Sequence, residues 1–294
     1  MKGILLAGGT GSRLYPATRA CSKQLLPVYD KPMVYYPLTV LMMAGIREIL
    51  VITTPRDRSL FERLLSDGSH LGISLRYAVQ DRPGGIAQAF LIAGDFLERS
   101  PVCLVLGDTF LHGPGLREML SRAAELLRGG LIFGYEVKDP ERYGVLSLDA
   151  GGRVTAITEK PSRPASSFAV PGLYFYDHTV RSIAEGLVPS GRGELEITDI
   201  NRAYLDRGEL SAELLGSGYT WLDMGTFEDL AQASSFVRTV QDRRGGMIGC
   251  PEEIAARLGY IGKKDLIRLA EAQAQSSYGR CLMRLADGFG KDDA

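Results

Sequence analysis

Charged residues sit where apolar runs give way to turns, and their types suit a polyphosphate held with a hard cation. The stretch LLAGGTGSRLYP, from Leu5 to Pro16, leads from apolar residues into Gly8, Gly9 and Gly11 and then Arg13. Glycines let a backbone approach a ligand and take torsions that other residues avoid. The spacing is neither the GxxxxGK[ST] of a Walker loop nor the GxGxxG of a dinucleotide fold. Glycines that serve turn geometry alone would read the same way, but Arg13 and Lys23 bring two cations to this one turn, which suits a polyphosphate. Asp108 follows the run PVCLVLG, and Asp223 follows Trp221–Leu222 and precedes Gly225. Each aspartate alone fits an ordinary turn. Two carboxylates at separate strand ends can instead share Mg²⁺, which takes oxygen ligands and phosphate partners. Glu159-Lys160-Pro161 closes a further strand-like run, either as a surface ion pair or as a sugar-hydroxyl reader beside a phosphate clamp.

Other chemistries find little support. The three histidines, at 70, 112 and 178, have no metal-ligand spacing, and neither a GxSxG elbow nor an HExxH helix occurs. The 34 basic and 35 acidic residues leave a net charge of -1, with no concentration of Lys and Arg to serve as a nucleic-acid footprint. The four cysteines, at 21, 103, 250 and 281, form no CxxC, so free thiols in a reducing compartment are expected. No secretory leader is apparent, and no run approaches the roughly 18 apolar residues of a membrane span. The expectation is a soluble, cytoplasmic protein with no membrane partner.

The elements that must position these residues alternate. Strands are expected at 3–7, 48–53, 75–79 and 101–106, with helices at 35–44, 59–65 and 86–97 between them. Such alternation argues a mostly parallel sheet with crossover helices, whose ligands gather outside the carboxyl ends of the strands. Beyond residue 131 the strand-like runs 131–137, 143–148, 154–158, 168–176 and 210–215 bring antiparallel strands into the sheet. Helices are expected at 226–240, 251–258 and 264–275. The expected fold class is α/β, a three-layer, mostly parallel mixed sheet with a small C-terminal helical appendage. Residues 1–226 are expected to form the core, and 227–294 the helical segment.

Gly8-Gly9-Thr10-Gly11-Ser12-Arg13-Leu14 followed by Ser22-Lys23-Gln24-Leu25-Leu26-Pro27 resembles the signature of the sugar-nucleotide pyrophosphorylases. YDKPMVYYPL at 29–38, GELEITDIN at 193–201 and WLDMGT at 221–226 narrow the resemblance to the glucose-1-phosphate thymidylyltransferases, the short bacterial form. PEEIAARLG at 251–259 extends it almost to the end of the chain. The resemblance implies a sheet of Rossmann-like nucleotidyltransferase type, with nucleotide-binding and sugar-binding halves within residues 1–226, and an enzyme of nucleotide-sugar biosynthesis on the route to dTDP-rhamnose. It joins dTTP and α-D-glucose 1-phosphate, releasing pyrophosphate and dTDP-glucose. Mg²⁺, a homotetramer and allosteric inhibition by a dTDP-sugar at a separate site are also implied.

Carried onto this chain, the resemblance assigns Leu6, Gly8, Gly9, Gly11, Arg13, Gln24, Gln80, Gly85 and Asp108 to the nucleotide, with Gln80 and Gly85 reading the base. It assigns Thr109, Gly144, Glu159, Lys160, Val170 and Tyr174 to the sugar phosphate, and Asp108 and Asp223 to the metal. Arg13, Lys23, Asp108, Lys160 and Asp223 form the implied catalytic set. Some positions depart from the family pattern: Thr109 stands where it usually has Asn, Ser167-Phe168 where it has Asn-Tyr, Met224 where it has Thr, and Ile86 where leucine is commoner. None of these removes a charged contact, so sugar specificity is affected before reaction type. The close rival is a uridylyltransferase of the same fold, since one methyl group in a pocket is worth only about 1–3 kcal/mol of discrimination. A sensor that keeps the fold without the chemistry would lack one of the charged residues, and all are present.

Overall fold

In the computed structural model, which describes residues 1–126 and 128–288, the apolar opening run forms β1 (Lys2–Ala7) inside a ten-stranded mixed sheet. The glycine loop that follows leads through a short hairpin, β2 (Pro27–Val28) and β3 (Lys31–Pro32), to α1 (Tyr35–Met43). Next come β4 (Glu48–Thr53), α2 (Arg58–Leu65), β5 (Ser74–Val79), α3 (Gln88–Ile92) and α4 (Gly94–Leu97). They are followed by β6 (Val102–Leu106), β7 (Thr109–His112) and α5 (Leu116–Ala123). The second half holds β8 (Gly130–Glu136), β9 (Gly144–Leu148), β10 (Val154–Glu159), β11 (Phe168–Ala169) and β12 (Leu173–Tyr176). Then come α6 (Val180–Glu185), α7 (Ile197–Asp206), β13 (Leu210–Leu215) and β14 (Thr220–Asp223). The chain closes with α8 (Phe227–Arg244), α9 (Pro251–Arg257), α10 (Lys263–Glu271) and α11 (Ser277–Gly288). Residues 289–294 of the expected helical segment lie outside the described residues.

Strand order is β10-β9-β11-β8-β12-β6-β1-β4-β5, with β13 paired to β8. β6, β1, β4 and β5 are parallel neighbours, whereas β12 runs antiparallel to both β6 and β8. Alternate side chains of β1 serve opposite faces: Leu5 and Ala7 enter one core, Ile4 and Leu6 the other. Helices α1, α2, α5 and α9–α11 cover the first face, and α3, α4, α6 and α7 cover the second. Three layers result, as expected. A third cluster, with Val28, Phe110, Met224, Ala233 and Val237, fastens α8 over the β2 and β7 region. Thr226 Oγ1 accepts the Asp229 N–H at the start of α8, and Cys250 Sγ accepts the Glu253 N–H at the start of α9, ahead of Pro251. All four cysteines are free, and none of the described helices is long and apolar enough to cross a membrane.

Two expected elements are broken. The helix expected over 86–97 is two helices, α3 and α4, that meet at Ala93. The strand expected over 168–176 is β11 and β12, interrupted at Val170-Pro171-Gly172. Pro171 has no N–H for the ladder. Gly172 presses on Leu106 and Thr109 so closely that a Cβ would come within 2.6 Å of each.

Candidate active site

The carboxyl ends of β1, β5 and β6 open on one cleft of about 690 Å³. Where β1 ends, Gly9 takes a φ of +94°, and Gly8 leaves space that a Cβ would fill to within 2.8 Å of Gln80 Oε1. Gln24 Nε2 donates to the Gly8 carbonyl at 3.3 Å, and the Ser22 hydroxyl donates to Gln24 Oε1. The Ser22 N–H in turn donates at 3.2 Å to Asp57, a fully buried carboxylate that also accepts from Thr54. The glycine loop is therefore anchored through Gln24 and Ser22 to the buried Asp57. Gly11 does not line the cleft. At φ +60° it starts the short turn Ser12–Leu14, and its carbonyl accepts the Thr18 hydroxyl at 2.7 Å.

At the floor, β7 pairs antiparallel with β14 in a register that sets Thr109 opposite Asp223. The Met224 N–H donates to the Asp108 carbonyl at 3.1 Å, so the two aspartates are side by side although 115 positions separate Asp108 from Asp223 (223 − 108 = 115). Lys23 forms an ion pair with Asp108 Oδ2. Burial works against a charged Asp108, yet the Lys23 ammonium outweighs it and holds the carboxyl below its usual range. Asp223 goes the other way: burial first, and then the Asp108 carboxylate beside it, push its pKa up to about 6. Arg13 closes this floor, since a Cβ on Gly225 would meet Arg13 Nη2 at 2.9 Å and Asp223 Oδ1 at 3.1 Å. Two neighbouring carboxylates, one of which resists ionisation because it is buried and because the other stands beside it, are a donor set that fits a divalent cation. Among the described residues no three His, Cys, Asp or Glu side chains form a metal cage. That is compatible with Mg²⁺, which commonly takes one or two carboxylates and completes its shell with phosphate oxygens and water.

On the far side, register again gathers the residues. Glu159 pairs with Gly144 across β10 and β9, and the Val170 N–H donates to the Gly144 carbonyl at 2.8 Å. Glu159 Oε2 accepts the Thr198 hydroxyl at 2.6 Å. Lys160 sits at φ +40°, a left-handed backbone that a side chain adopts at a cost, and its half-exposed ammonium lies 3.6 Å from Glu159 Oε1. Tyr174 is buried and stacked on Tyr176; burial and then Glu159 raise its pKa, so the hydroxyl stays protonated as a donor. Thr109 is buried, with its hydroxyl 3.4 Å from the Gly172 carbonyl.

The cleft thus brings together every residue expected from the sequence except Gly11. It also contains residues that the sequence reading left unassigned: Arg142, Tyr143, Arg192, Glu194, Glu196 and Trp221. Glu194, Glu196 and Trp221 lay inside quoted motifs, which was the available signal. Arg192 donates to Glu196 at 2.8 Å and stands 3.5 Å from Glu159, a juxtaposition across the sheet that no local pattern announces. Tyr143 meets Trp221 edge-on at 5.0 Å between centroids, and Arg142 stands over the Tyr143 ring. The Trp221 Nε1–H is buried without a partner among the described residues.

Residues 2–240 match the family model described as nucleotidyl transferase. The glucose-1-phosphate thymidylyltransferase of Xanthomonas campestris pv. campestris is 55% identical over 97% of this chain and 97% of its own length. That of Mycobacterium tuberculosis is 52% identical over 98% of this chain and 99% of its own. A Bacillus anthracis protein solved in complex with sucrose is 41% identical, with a TM-score of 0.75 over 81% of this chain and 95% of its own. A UDP-glucose pyrophosphorylase solved with UDP-glucose, at 24% identity and a TM-score of 0.71 over 81% of this chain and 98% of its own, shares the fold.

Proposed function

Because this chain belongs to the nucleotidyl transferase family, among its glucose-1-phosphate thymidylyltransferases, we propose that the cleft joins dTTP to α-D-glucose 1-phosphate. The products are dTDP-glucose and pyrophosphate. The observation that carries this reading is the floor itself: paired Asp108 and Asp223, with Lys23 and Arg13 around them, between a glycine loop and a polar sugar-sized wall.

Sheet order supports the division of labour. Gln80 follows β5, three strand spacings or about 14 Å from β6, a span that suits a nucleoside with its base at Gln80 and Gly85 and its phosphates over Gly8, Gly9 and Asp108. Leu6 and Gln24 support that arm. The opposite arm, over β9, β10 and β12, offers Gly144, Glu159, Val170, Tyr174 and Thr109 to sugar hydroxyls, with Lys160 and Arg192 for the sugar phosphate.

Two polyanions must meet, so charge repulsion is the first barrier. Arg13 and Lys23 offset it on the triphosphate, and Lys160 on the sugar phosphate. The phosphate oxygen is already nucleophilic at neutral pH and needs no general base, which fits a cleft without histidine. It attacks the α-phosphorus in line with departing pyrophosphate, and the cations stabilise charge that builds on the phosphoryl oxygens. Asp108 and Asp223 would hold Mg²⁺, which when bound supplies further neutralisation of phosphate charge. A homotetramer in the cytoplasm belongs to the same proposal, as does Gly11 in shaping the nucleotide loop. A pyrophosphate-release assay across nucleoside triphosphates and sugar 1-phosphates tests the reading: turnover is expected to be fastest with dTTP and glucose 1-phosphate. No release with any pair would defeat it.

A further inference from the structure

We propose that Gln88, which does not line the cleft, selects the class of base by fixing which end of the Gln80 amide faces the nucleotide. The inference rests on the reading of Gln80 as the residue that meets the base. Gln88 opens α3, and its Oε1 accepts from Gln80 Nε2 at 2.7 Å. The same Nε2 donates to the Gly85 carbonyl at 3.2 Å. Both amide N–H groups of Gln80 are thereby committed to the protein. Its Oε1 is the other end, held above Gly8.

Turning the amide over would bring Oε1 against the Gly85 carbonyl and leave that carbonyl without a donor, and would bring it against Gln88 Oε1 as well unless the Gln88 amide turned with it. Gln80 is only 7% exposed, so water does little to relieve that conflict. An amide locked in this way presents an acceptor to the cleft. It complements the N3–H of an imide base such as thymine or uracil, and it opposes the bare N3 of cytosine. Gln88 is thus a positioning residue that acts through Gln80.

Gly84 makes the arrangement possible. A Cβ there would meet Gln88 Oε1 at 2.5 Å and Nε2 at 2.8 Å. Gly84 is not among the glycines with positive φ, so alanine fits the backbone and displaces only the far end of the Gln88 side chain. That gives a second, independent way to break the lock with Gln88 itself still present.

The test measures kcat and KM for dTTP, dUTP and dCTP with glucose 1-phosphate in the wild type, Gln88→Leu, Gln88→Glu and Gly84→Ala. Gln88→Leu and Gly84→Ala are expected to lower the preference for dTTP over dCTP about three- to tenfold, the worth of one hydrogen bond. The change should lie in KM, with kcat altered less than about twofold, and the preference between dTTP and dUTP should stay as it was. Gln88→Glu keeps an acceptor facing Nε2 and should keep the preference. An unchanged dTTP:dCTP ratio in Gly84→Ala, or an equal loss for all three nucleotides, would overturn the inference. A wild type that turns over glucose 1-phosphate with none of the three would instead overturn the reading of the site on which it rests, and the inference with it.

Discussion

Replacing Asp223 with Asn should make the unliganded protein more stable while nearly abolishing its activity. In the folded chain the Asp223 pKa rises from an ordinary 3.8 to about 6, because the carboxyl is buried and Asp108 stands beside it. That rise corresponds to roughly 3 kcal/mol held against the charged form. The sign sets the pH window. Below about pH 4 the carboxyl is protonated folded or unfolded and there is no penalty; the penalty grows as pH rises to about 6 and is complete above it. Asparagine removes the charge at every pH. The attraction of Lys23 and Arg13 is already contained in that net rise, so the gain is at most about 3 kcal/mol, roughly 5–8 °C in Tm at pH 8. At pH 4.5 only about a third of that penalty has developed, so the difference in Tm should shrink to about a third by the same linkage. Thermal unfolding of both variants at the two pH values, with Mg²⁺ chelated, reads this directly. Turnover with saturating Mg²⁺ should fall more than about tenfold, since one of two oxygen ligands loses its charge. An Asn variant with an intact far-UV spectrum that melts at or below the wild type at pH 8 would refute the charge-pair reasoning. Unchanged turnover would refute the metal assignment.

Lys160→Ala should weaken glucose 1-phosphate about tenfold or more while dTTP affinity changes less than about twofold, as read by calorimetric titration; equal weakening of both would defeat the division of cations. Thr109→Asn should tighten discrimination among deoxy and epimeric sugar 1-phosphates by a factor of a few to about ten, the worth of one added hydrogen bond, and flat kcat/KM ratios would make Thr109 a packing residue against Gly172. Light scattering at micromolar concentration should give a tetramer; a monomer would remove assembly from the account.

The legible parts of this protein were those encoded within a few consecutive residues. β1, β4 and β6 are short buried runs, and β5 and β13 partly exposed ones, all set off by Gly, Pro or Asp, and their ends were readable within a residue or two. The glycine loop, Lys23, Asp108 and Asp223 each lie in compact motifs at strand ends. What stayed hidden depends on residues far apart in the chain. At the break over Val170-Pro171-Gly172, Leu106 and Thr109 leave no room for a Cβ on Gly172, a contact across 63 positions (172 − 109 = 63). α5, α6 and α7 were not read, although Leu116, Met119, Leu120 and Ala123 recur at helical spacing in α5. Arg192 joins the site only because the Leu195 N–H donates to Gly84 and the Ala87 N–H to Leu195, which folds the 190s against the base-side turn. Gln88 looked like an ordinary residue of an expected helix; its role exists only once Gly84 lets its amide reach Gln80.

The central claim is a transfer of the nucleotidyl group from dTTP to a sugar phosphate, and ³¹P NMR of the purified protein with dTTP, glucose 1-phosphate and Mg²⁺ tests it most directly. The account predicts that the α-phosphorus joins the sugar phosphate in a new diphosphate diester, one pyrophosphate appears for each such product, and dTTP stays intact when the sugar phosphate is left out. Orthophosphate or dTMP in place of the diester, or pyrophosphate released without glucose 1-phosphate, would contradict it.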